Sequence, residues 1–309
     1  MSHVAAEIES QPRCWELAAE LAGEVGQALP GEGERVAVVG CGTSYNVAQV
    51  YASLREGSGK GETDAFAASQ LPAGRRYDRV VFVSRTGTTT EVLEAMALLP
   101  AGTPTTAITA QPDTPVAKAG TYSVALPFAD EEAVVATRFA TSVVLLLRVH
   151  LGADSGPLVA SAAEALAAPL PEGALDARQY TFLGLHWAAG LAHEAALKLR
   201  ESAQVWAESY PAMEYRHGPI SVADERSLVW SLGSAPSGLE EEVRATGARW
   251  EETRRDPLAE LLRVQRLAVA LAERAGLDPD RPRHLAPSVI LTEGWSAGSA
   301  SRAGSRRAP

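Results

Sequence analysis

Short valine-rich runs alternate with stretches of helical spacing along the first half of the chain. RVAVVG (35–40) and RVVFVS (79–84) each lead into a polar turn and then into a helical pattern. TTAIT (105–109) continues the series, and a long helix is predicted over about 133–151. Strands that are apolar on both faces are typical of parallel sheets covered by helices on each side. The pattern therefore predicts an α/β fold built on doubly wound parallel sheets.

A similar order of elements begins again after residue 178. YTFLGL (180–185) and SLVWSLG (227–233) have strand character, and a long helix is predicted over 187–208. The repeated order of strand, glycine-containing turn and helix indicates two related halves. The predicted parts are an N-terminal helix with the first α/β subdomain (1–152), a connector (153–178), a second α/β subdomain (179–292) and a tail without apolar periodicity that is predicted to be disordered (293–309).

Charge and cysteine content limit the class of protein. A net charge of −10 argues against coating nucleic acid, because phosphate backbones are bound by an excess of Lys and Arg. The two cysteines, Cys14 and Cys41, cannot form a disulfide framework, which favours a reducing compartment. The longest apolar run, SVVLLL (142–147), is too short to cross a bilayer, and no leader is recognisable. We therefore expect a cytoplasmic protein with no membrane or nucleic-acid partner.

Two turns rich in glycine and hydroxyl groups follow the first two predicted strands. They are GCGTSY (40–45) and SRTGTTTE (84–91). In parallel sheets, ligands bind beyond the carboxyl ends of the strands, where hydroxyls and helix N-termini suit a phosphate. Each turn alone is also compatible with a helix N-cap, and neither is a dinucleotide or Walker motif. Together they predict one site for a small phosphate, and Cys41 in the first turn is interpreted as a buried thiol.

The second half carries the titratable groups. Glu194, Lys198, Glu201 and Glu208 are spaced to share one face of the predicted helix 187–208. This stripe is compatible with surface salt bridges or with proton transfer. A polar loop with His217 follows, and a carboxylate with a histidine near a phosphate site is what proton transfer at a sugar carbon requires. No residues have metal-ligand spacing, and we expect neither a metal nor a cofactor.

These motifs resemble the SIS (sugar isomerase) family, in particular the isomerase half of glucosamine-6-phosphate synthase and related isomerases, deaminases and deglycases that act on amino-sugar and fructosamine phosphates. The resemblance implies two SIS subdomains, each a flavodoxin-like, doubly wound parallel sheet with helices on both faces. It extends over most of the chain. The motifs that carry it are EIESQP, GCGTSY, SRTGTTTE, EAVVATRFAT, HEAALKLRESAQVWAESYPAMEYRHGP and DPDRPRHLAPSV.

The resemblance also implies roles for single residues. Glu201 matches the carboxylate that moves a proton between C1 and C2, and Lys198 lies one turn earlier. His217 matches the ring-opening histidine, which in the family comes from the neighbouring subunit, so a homodimer is implied. The implied phosphate ligands are Ser44, Ser84, Arg85, Thr86 and Thr89, and the implied contacts near the sugar hydroxyls are Gly42, Thr43, Val135 and Ala286.

The chain departs from the synthase pattern at several positions. Pro287 stands where the synthase has the lysine that forms a Schiff base, so a ketimine at that position is excluded. Arg85 replaces a glutamine, and Ala136 replaces a hydroxyl residue. Position 2 is not the cysteine of a glutaminase, so we expect no glutaminase activity.

The predicted function is aldose–ketose isomerisation of an amino-sugar hexose 6-phosphate with loss of the amine. One alternative is a lyase or dehydratase that removes the C3 substituent of N-acetylglucosamine 6-phosphate after abstraction of the C2 proton. The other is a non-catalytic phosphosugar sensor. The residues leave all three open, since one fold hosts several chemistries.

Overall fold

The computed structural model describes residues 2–72 and 74–292, and this part of the chain contains ten α-helices and nine β-strands. The predicted tail, 293–309, lies outside the described residues. None of the described helices is both long and apolar enough to cross a membrane. The elements of the first half are α1 (His3–Glu9), α2 (Gln11–Glu24), β1 (Val36–Gly40), α3 (Thr43–Gly57), β2 (Thr63–Ala67), β3 (Arg79–Val83), α4 (Thr90–Ala97), β4 (Thr105–Thr109), α5 (Pro115–Ala119), β5 (Tyr122–Ala125) and α6 (Arg138–His150).

The remaining described elements form the second half and the helix that leads into it. Helix α7 occupies part of the predicted connector and packs against α2 and α10, so this segment contributes to the core. These elements are α7 (Ser155–Ala167), β6 (Gln179–Gly184), α8 (Ala188–Ala203), β7 (Trp206–Pro211), β8 (Ser227–Leu232), α9 (Leu239–Ala245), β9 (Arg249–Glu252) and α10 (Pro257–Arg274).

The strands form two parallel sheets. The first has the order β2-β1-β3-β4-β5 and the second the order β7-β6-β8-β9. The first is the flavodoxin-like order, and the second repeats it with one strand fewer. Strand order reverses between β1 and β3 in the first sheet and between β6 and β8 in the second. The predicted α/β class, with two doubly wound parallel sheets, is confirmed.

Equivalent glycines end the first strand of each sheet. A Cβ on Gly40 would lie 2.5 Å from the carbonyl carbon of Ser44, and one on Gly184 would lie 2.2 Å from the carbonyl oxygen of Ala188. Both glycines therefore let the first turn of the next helix pack directly over the end of the strand. This shared device supports the predicted relation between the two halves.

The two halves meet where α3 crosses α8. Gly190 on α8 lies against α3, and a Cβ there would be 2.8 Å from Val50 Cγ2 and 3.1 Å from the carbonyl oxygen of Asn46. The absence of a side chain permits this close approach. It brings polar residues of α3 within hydrogen-bonding distance of α8, as described below.

Replacing Gly190 by alanine should lower the free energy of unfolding by about 1–3 kcal/mol, because the added methyl group overpacks the α3–α8 contact. The matched control is Gly23→Ala on α2, where a Cβ would meet nothing within 4 Å and alanine favours the helix by about 0.5–1 kcal/mol. Urea unfolding measures both. Gly190→Ala matching or exceeding the stability of the parent would contradict this account of the contact.

Two predicted helices are wrong in extent. The helix predicted over 187–208 ends at Ala203, because Gln204 adopts a left-handed conformation with φ of 56°. The residues that follow form the edge strand β7, so Glu208 lies on a strand and not on the helical face with Glu201. The helix predicted over 133–151 begins only at Arg138, whose amide donates to the Glu131 carboxylate at 2.7 Å.

Candidate active site

A cavity of about 220 Å³ lies at the carboxyl ends of β1 and β3, beside the point where strand order reverses. Both hydroxyl-rich turns line it, as the sequence predicts for this edge of the sheet. Helices α3 and α4 begin from these turns, so the positive ends of both helix dipoles lie at the cavity. The predicted site residues that the turns bring together are Gly42, Thr43, Ser44, Ser84, Arg85, Thr86 and Thr89.

Glycine is required in both turns. Gly42 has φ of 54° and is the N-cap residue of α3. Gly87 has φ of 61°, and a Cβ there would lie 2.1 Å from Thr114 Oγ1. A left-handed backbone and the packing of Thr114 therefore explain why these positions carry no side chain.

Helix α8 supplies the acid of the cavity. Glu201 lines the cavity, and its side chain is 20% exposed. Lys198 Nζ lies 2.6 Å from Glu201 Oε2 and 3.2 Å from Glu194 Oε1. Lys198 itself is 1% exposed and does not line the cavity. It lies behind Glu201, where it orients the carboxylate; contact with a ligand would need a rearrangement.

Lys198 and Glu194 connect α8 to the first half of the chain. Lys198 Nζ donates to Thr43 Oγ1 at 2.9 Å and to the carbonyl oxygen of Ala136 at 3.0 Å. Glu194 accepts from Thr43 Oγ1 at 3.1 Å and from Asn46 Nδ2 at 2.8 Å. We call Thr43, Asn46, Glu194, Lys198 and Glu201 the buried network. It holds the acid of the second half next to the turns of the first.

Lys198 supplies the positive charge of the buried network, opposite the two carboxyl groups of Glu194 and Glu201. Burial disfavours its ammonium, but the carboxylates of Glu194 and Glu201 outweigh burial and raise the pKa of Lys198. Burial raises the pKa of Glu194, and Lys198 and Asn46 oppose that shift. Lys198 is therefore protonated at neutral pH and keeps a positive charge beside Glu201.

Arg85 lines the cavity but is held by protein groups. Its Nη1 donates to the carbonyl oxygen of Ala133 at 2.9 Å and lies 3.2 Å from Glu131 Oε2. Glu131 is fully buried and also accepts from the amides at the start of α6. This nitrogen therefore anchors the loop 131–137. Arg85 thus has a structural role in addition to its predicted role as a phosphate ligand.

The loop 131–137 places one predicted site residue behind the cavity wall. Val135 is 2% exposed and does not line the cavity, because its side chain packs in the interior. Its neighbours Val134 and Ala136 line the cavity instead. Contact of Val135 with the sugar hydroxyls therefore stays a prediction, which its position behind the cavity wall does not support.

His217 is not brought to the cavity of its own chain. It ends the short 3₁₀ helix Glu214–His217, is exposed, and is absent from the cavity wall. Ala286 does line the cavity, together with neighbouring residues of the C-terminal segment that sequence reasoning missed. Among these is Ser288, whose hydroxyl lies 2.9 Å from Thr88 Oγ1.

Cys41 also lines the cavity, with its sulfur 3.8 Å from Glu91 Oε2. Burial, with the nearby Glu91 charge, raises the pKa of the Cys41 thiol to about 11. The thiol is therefore protonated at neutral pH and is a poor nucleophile. This agrees with the interpretation of Cys41 as an unreactive thiol, but the residue is partly exposed at the cavity wall and not buried.

Comparison with known proteins identifies relatives of this arrangement. Residues 32–151 match the family model of the SIS domain. A glutamine–fructose-6-phosphate aminotransferase (isomerizing) from Methanothermobacter thermautotrophicus is 28% identical, over 84% of this chain and 52% of that protein. One from Thermus thermophilus is 35% identical, over 41% of this chain and 26% of that protein. At its longest matches, the chain spans about half the length of these curated relatives.

Solved structures share the fold over most of the chain. Glucosamine-6-phosphate deaminase from Thermotoga maritima superposes with a TM-score of 0.78 at 26% identity. The superposition covers 94% of this chain and 100% of the deaminase chain. Tagatose-6-phosphate ketose/aldose isomerase from Escherichia coli has a TM-score of 0.73 at 19% identity, covering 96% of this chain and 97% of that one. The second likeness shows the fold alone.

Proposed function

We propose that the chain, whose residues 32–151 match the SIS domain model, is a phosphosugar enzyme whose substrate is an amino-sugar hexose 6-phosphate. The observation that carries the proposal is that one cavity is lined both by the two hydroxyl-rich turns and by Glu201. The turns suit the phosphate end of such a substrate, and Glu201 suits its C1–C2 end. The likeness to a glucosamine-6-phosphate deaminase supports this choice of substrate.

Neutral donors and helix dipoles form most of the proposed phosphate end, and Arg85 lies beside them. Ser44, Ser84, Thr86 and Thr89 line the cavity at the starts of α3 and α4. Hydroxyl and amide donors at helix N-termini bind phosphate without a free cation. The cavity volume of about 220 Å³ is below the usual range for drug-sized ligands, which suits a monosaccharide phosphate better than a nucleotide sugar.

The proposed reaction moves a proton and no hydride. In the ring-opened substrate, Glu201 takes the proton from C2 while the C1 oxygen is protonated, giving an enolamine. Return of a proton to C1 gives an imine at C2, water adds to C2, and ammonia leaves. The sum is glucosamine 6-phosphate plus water giving fructose 6-phosphate plus ammonia. Lys198 positions the Glu201 carboxylate and stabilises its negative charge. General-base catalysis of this kind increases the rate by about 10²- to 10⁴-fold.

A homodimer completes the proposed site. His217 is exposed in its own chain, so we propose that it enters the cavity of the neighbouring subunit and assists ring opening. Glu201→Gln and His217→Asn should each be strongly impaired alone. Refolded together they should regain part of the activity, because mixed dimers then contain one site with both native residues. Mixtures as inactive as the separate variants would contradict a shared site.

A product-resolved assay tests the proposed reaction. Purified protein incubated with glucosamine 6-phosphate should release ammonia and fructose 6-phosphate in equal amounts. Fructosamine 6-phosphates and N-acetylglucosamine 6-phosphate are assayed in parallel, because the nitrogen position and its acetylation are parts of the proposal. If glucosamine 6-phosphate yields neither ammonia nor fructose 6-phosphate, the proposed deaminase reaction is contradicted.

A second reaction is favoured by the walls beside Glu201. Ala136 and Pro287 line the cavity with apolar surface, which suits an uncharged acetamido group better than an ammonium. With N-acetylglucosamine 6-phosphate, Glu201 would take the C2 proton, and the C3 hydroxyl would leave as water. An unsaturated, ultraviolet-absorbing aldehyde would be the product. Formation of this aldehyde without release of ammonia would show that the protein is a lyase and not a deaminase.

A further inference from the structure

The C-terminal segment 285–291, here called the strap, forms one wall of the cavity. Residues 285–289 lie beside the second hydroxyl-rich turn. Besides the local contact from Leu285 N–H to the Pro282 carbonyl (3.4 Å), the described part of the chain has four polar contacts between the strap and other residues, all of them in 88–90. They are Thr90 N–H to the Val289 carbonyl (3.1 Å), Leu291 N–H to Thr90 Oγ1 (2.9 Å), and the contacts of Ser288 Oγ with Thr88 Oγ1 (2.9 Å) and Thr89 Oγ1 (3.3 Å).

Ser288 joins a chain of four hydroxyl groups. Thr86 Oγ1 lies 3.1 Å from Thr88 Oγ1, which lies 2.9 Å from Ser288 Oγ, and Thr89 Oγ1 lies 3.3 Å from the same oxygen. Each hydroxyl has one proton to donate, so three contacts use three of four protons. At least one hydroxyl proton is left to donate to an acceptor outside this group of four hydroxyls. Thr86, Thr89 and Ser288 all line the cavity, so an acceptor bound there is in reach.

Apolar burial does little to hold the strap closed. Leu285 is 44% exposed, Val289 53% and Ile290 67%. The strap therefore depends on its few polar contacts, and a ligand that adds one more has a large relative effect on its position.

We propose that Ser288 is a further substrate-binding residue, which donates its hydroxyl to the phosphate beside Thr86 and Thr89 and so closes the strap over the bound sugar. This inference rests on the proposed function, because it assumes that the cavity binds a sugar 6-phosphate. It assigns the strap a role that Ala286 and Pro287 cannot fill, since neither side chain has a donor.

The test compares Ser288→Ala with two other variants. Ser288→Thr keeps the hydroxyl, and Thr292→Ala removes a hydroxyl just outside the strap and away from the cavity wall. Calorimetry measures the Kd for glucosamine 6-phosphate and for inorganic phosphate. Loss of a hydrogen bond to a charged group predicts roughly tenfold weaker binding of both ligands by Ser288→Ala, while both other variants stay close to the parent. Glucosamine 6-phosphate should slow amide hydrogen exchange in 285–291 of the parent, and much less in Ser288→Ala.

Two outcomes separate this inference from the proposed function. If the parent binds glucosamine 6-phosphate and Ser288→Ala binds it equally well with equal protection of the strap, the inference is overturned and the proposed function stands. If the parent binds none of the sugar phosphates assayed above and converts none, both fall together.

Discussion

Replacing Glu201 by glutamine should lower kcat for the sugar phosphate by about 10²- to 10⁴-fold while changing Kd little. Glutamine keeps the size of the side chain and its place on the cavity wall, but it cannot accept the C2 proton. The interaction that is lost is made in the transition state, so kcat falls and KM does not rise in compensation. Steady-state kinetics with calorimetric binding separates the two quantities.

Glu208→Gln is the matched control for this substitution. Glu208 lies on β7, where it accepts from Trp206 Nε1 at 3.0 Å and from Tyr210 Oη at 3.3 Å, away from the cavity wall. We expect its kcat within about twofold of the parent, because it contacts no reacting atom. A Glu201→Gln protein that retains more than a tenth of the parent kcat would remove Glu201 from the role of base, and one that no longer binds sugar phosphate would place it among the binding residues.

Replacing Lys198 by methionine should produce the largest loss of stability, about 3–5 kcal/mol at pH 7. The substitution leaves the buried carboxylate of Glu194, which is 3% exposed, and the carboxylate of Glu201 without their cation. Activity should fall with stability, since Glu201 loses the group that orients it. Urea unfolding at several pH values measures the effect, and Lys118→Met, at an exposed position, is the control.

The pH dependence of the Lys198→Met variant follows from Glu194. Burial already raises the pKa of Glu194 above its ordinary value of 4.5, and removal of Lys198 takes away the opposing charge. A group with a raised folded-state pKa contributes stability that is present below its unfolded pKa and is lost as pH rises through the folded one. The difference in free energy of unfolding between the parent and Lys198→Met should therefore become smaller as pH falls from 7 toward 5. Adding Glu194→Gln should recover part of the stability at pH 7, and a pH-independent deficit would contradict the charge argument.

Local pattern predicts the central strands well. β1, β3 and β4 are buried over their whole length, and such strands carry uninterrupted apolar runs. The edge strands β2 and β7 are only partly buried and lack this signal, so sequence reasoning passes over β2 and extends the predicted helix 187–208 into β7. Partial burial therefore explains why the apolar pattern is weak at both strands.

The rest of the site depends on contacts between distant parts of the chain, which local sequence patterns do not predict. The two turns are predictable because each follows its own strand, but the anchoring of Arg85 by Glu131 joins residues 46 positions apart. Ser288 meets Thr88 across 200 positions. The spacing of Glu194, Lys198 and Glu201 predicts a shared helical face, yet it does not show that Lys198 is buried behind Glu201 and not exposed beside it. That distinction depends on Thr43 and Ala136 from the first half.

Solvent exchange at the sugar carbons tests the central claim most directly. In heavy water, NMR should show deuterium entering the C1 position of the fructose 6-phosphate formed from glucosamine 6-phosphate by the parent protein, because Glu201 exchanges the abstracted proton before returning it. Glu201→Gln should show almost none at equal protein concentration, while Glu208→Gln should match the parent. Deuterium incorporation that persists in Glu201→Gln, or is absent from the parent with every sugar phosphate assayed, would contradict a proton transfer by Glu201.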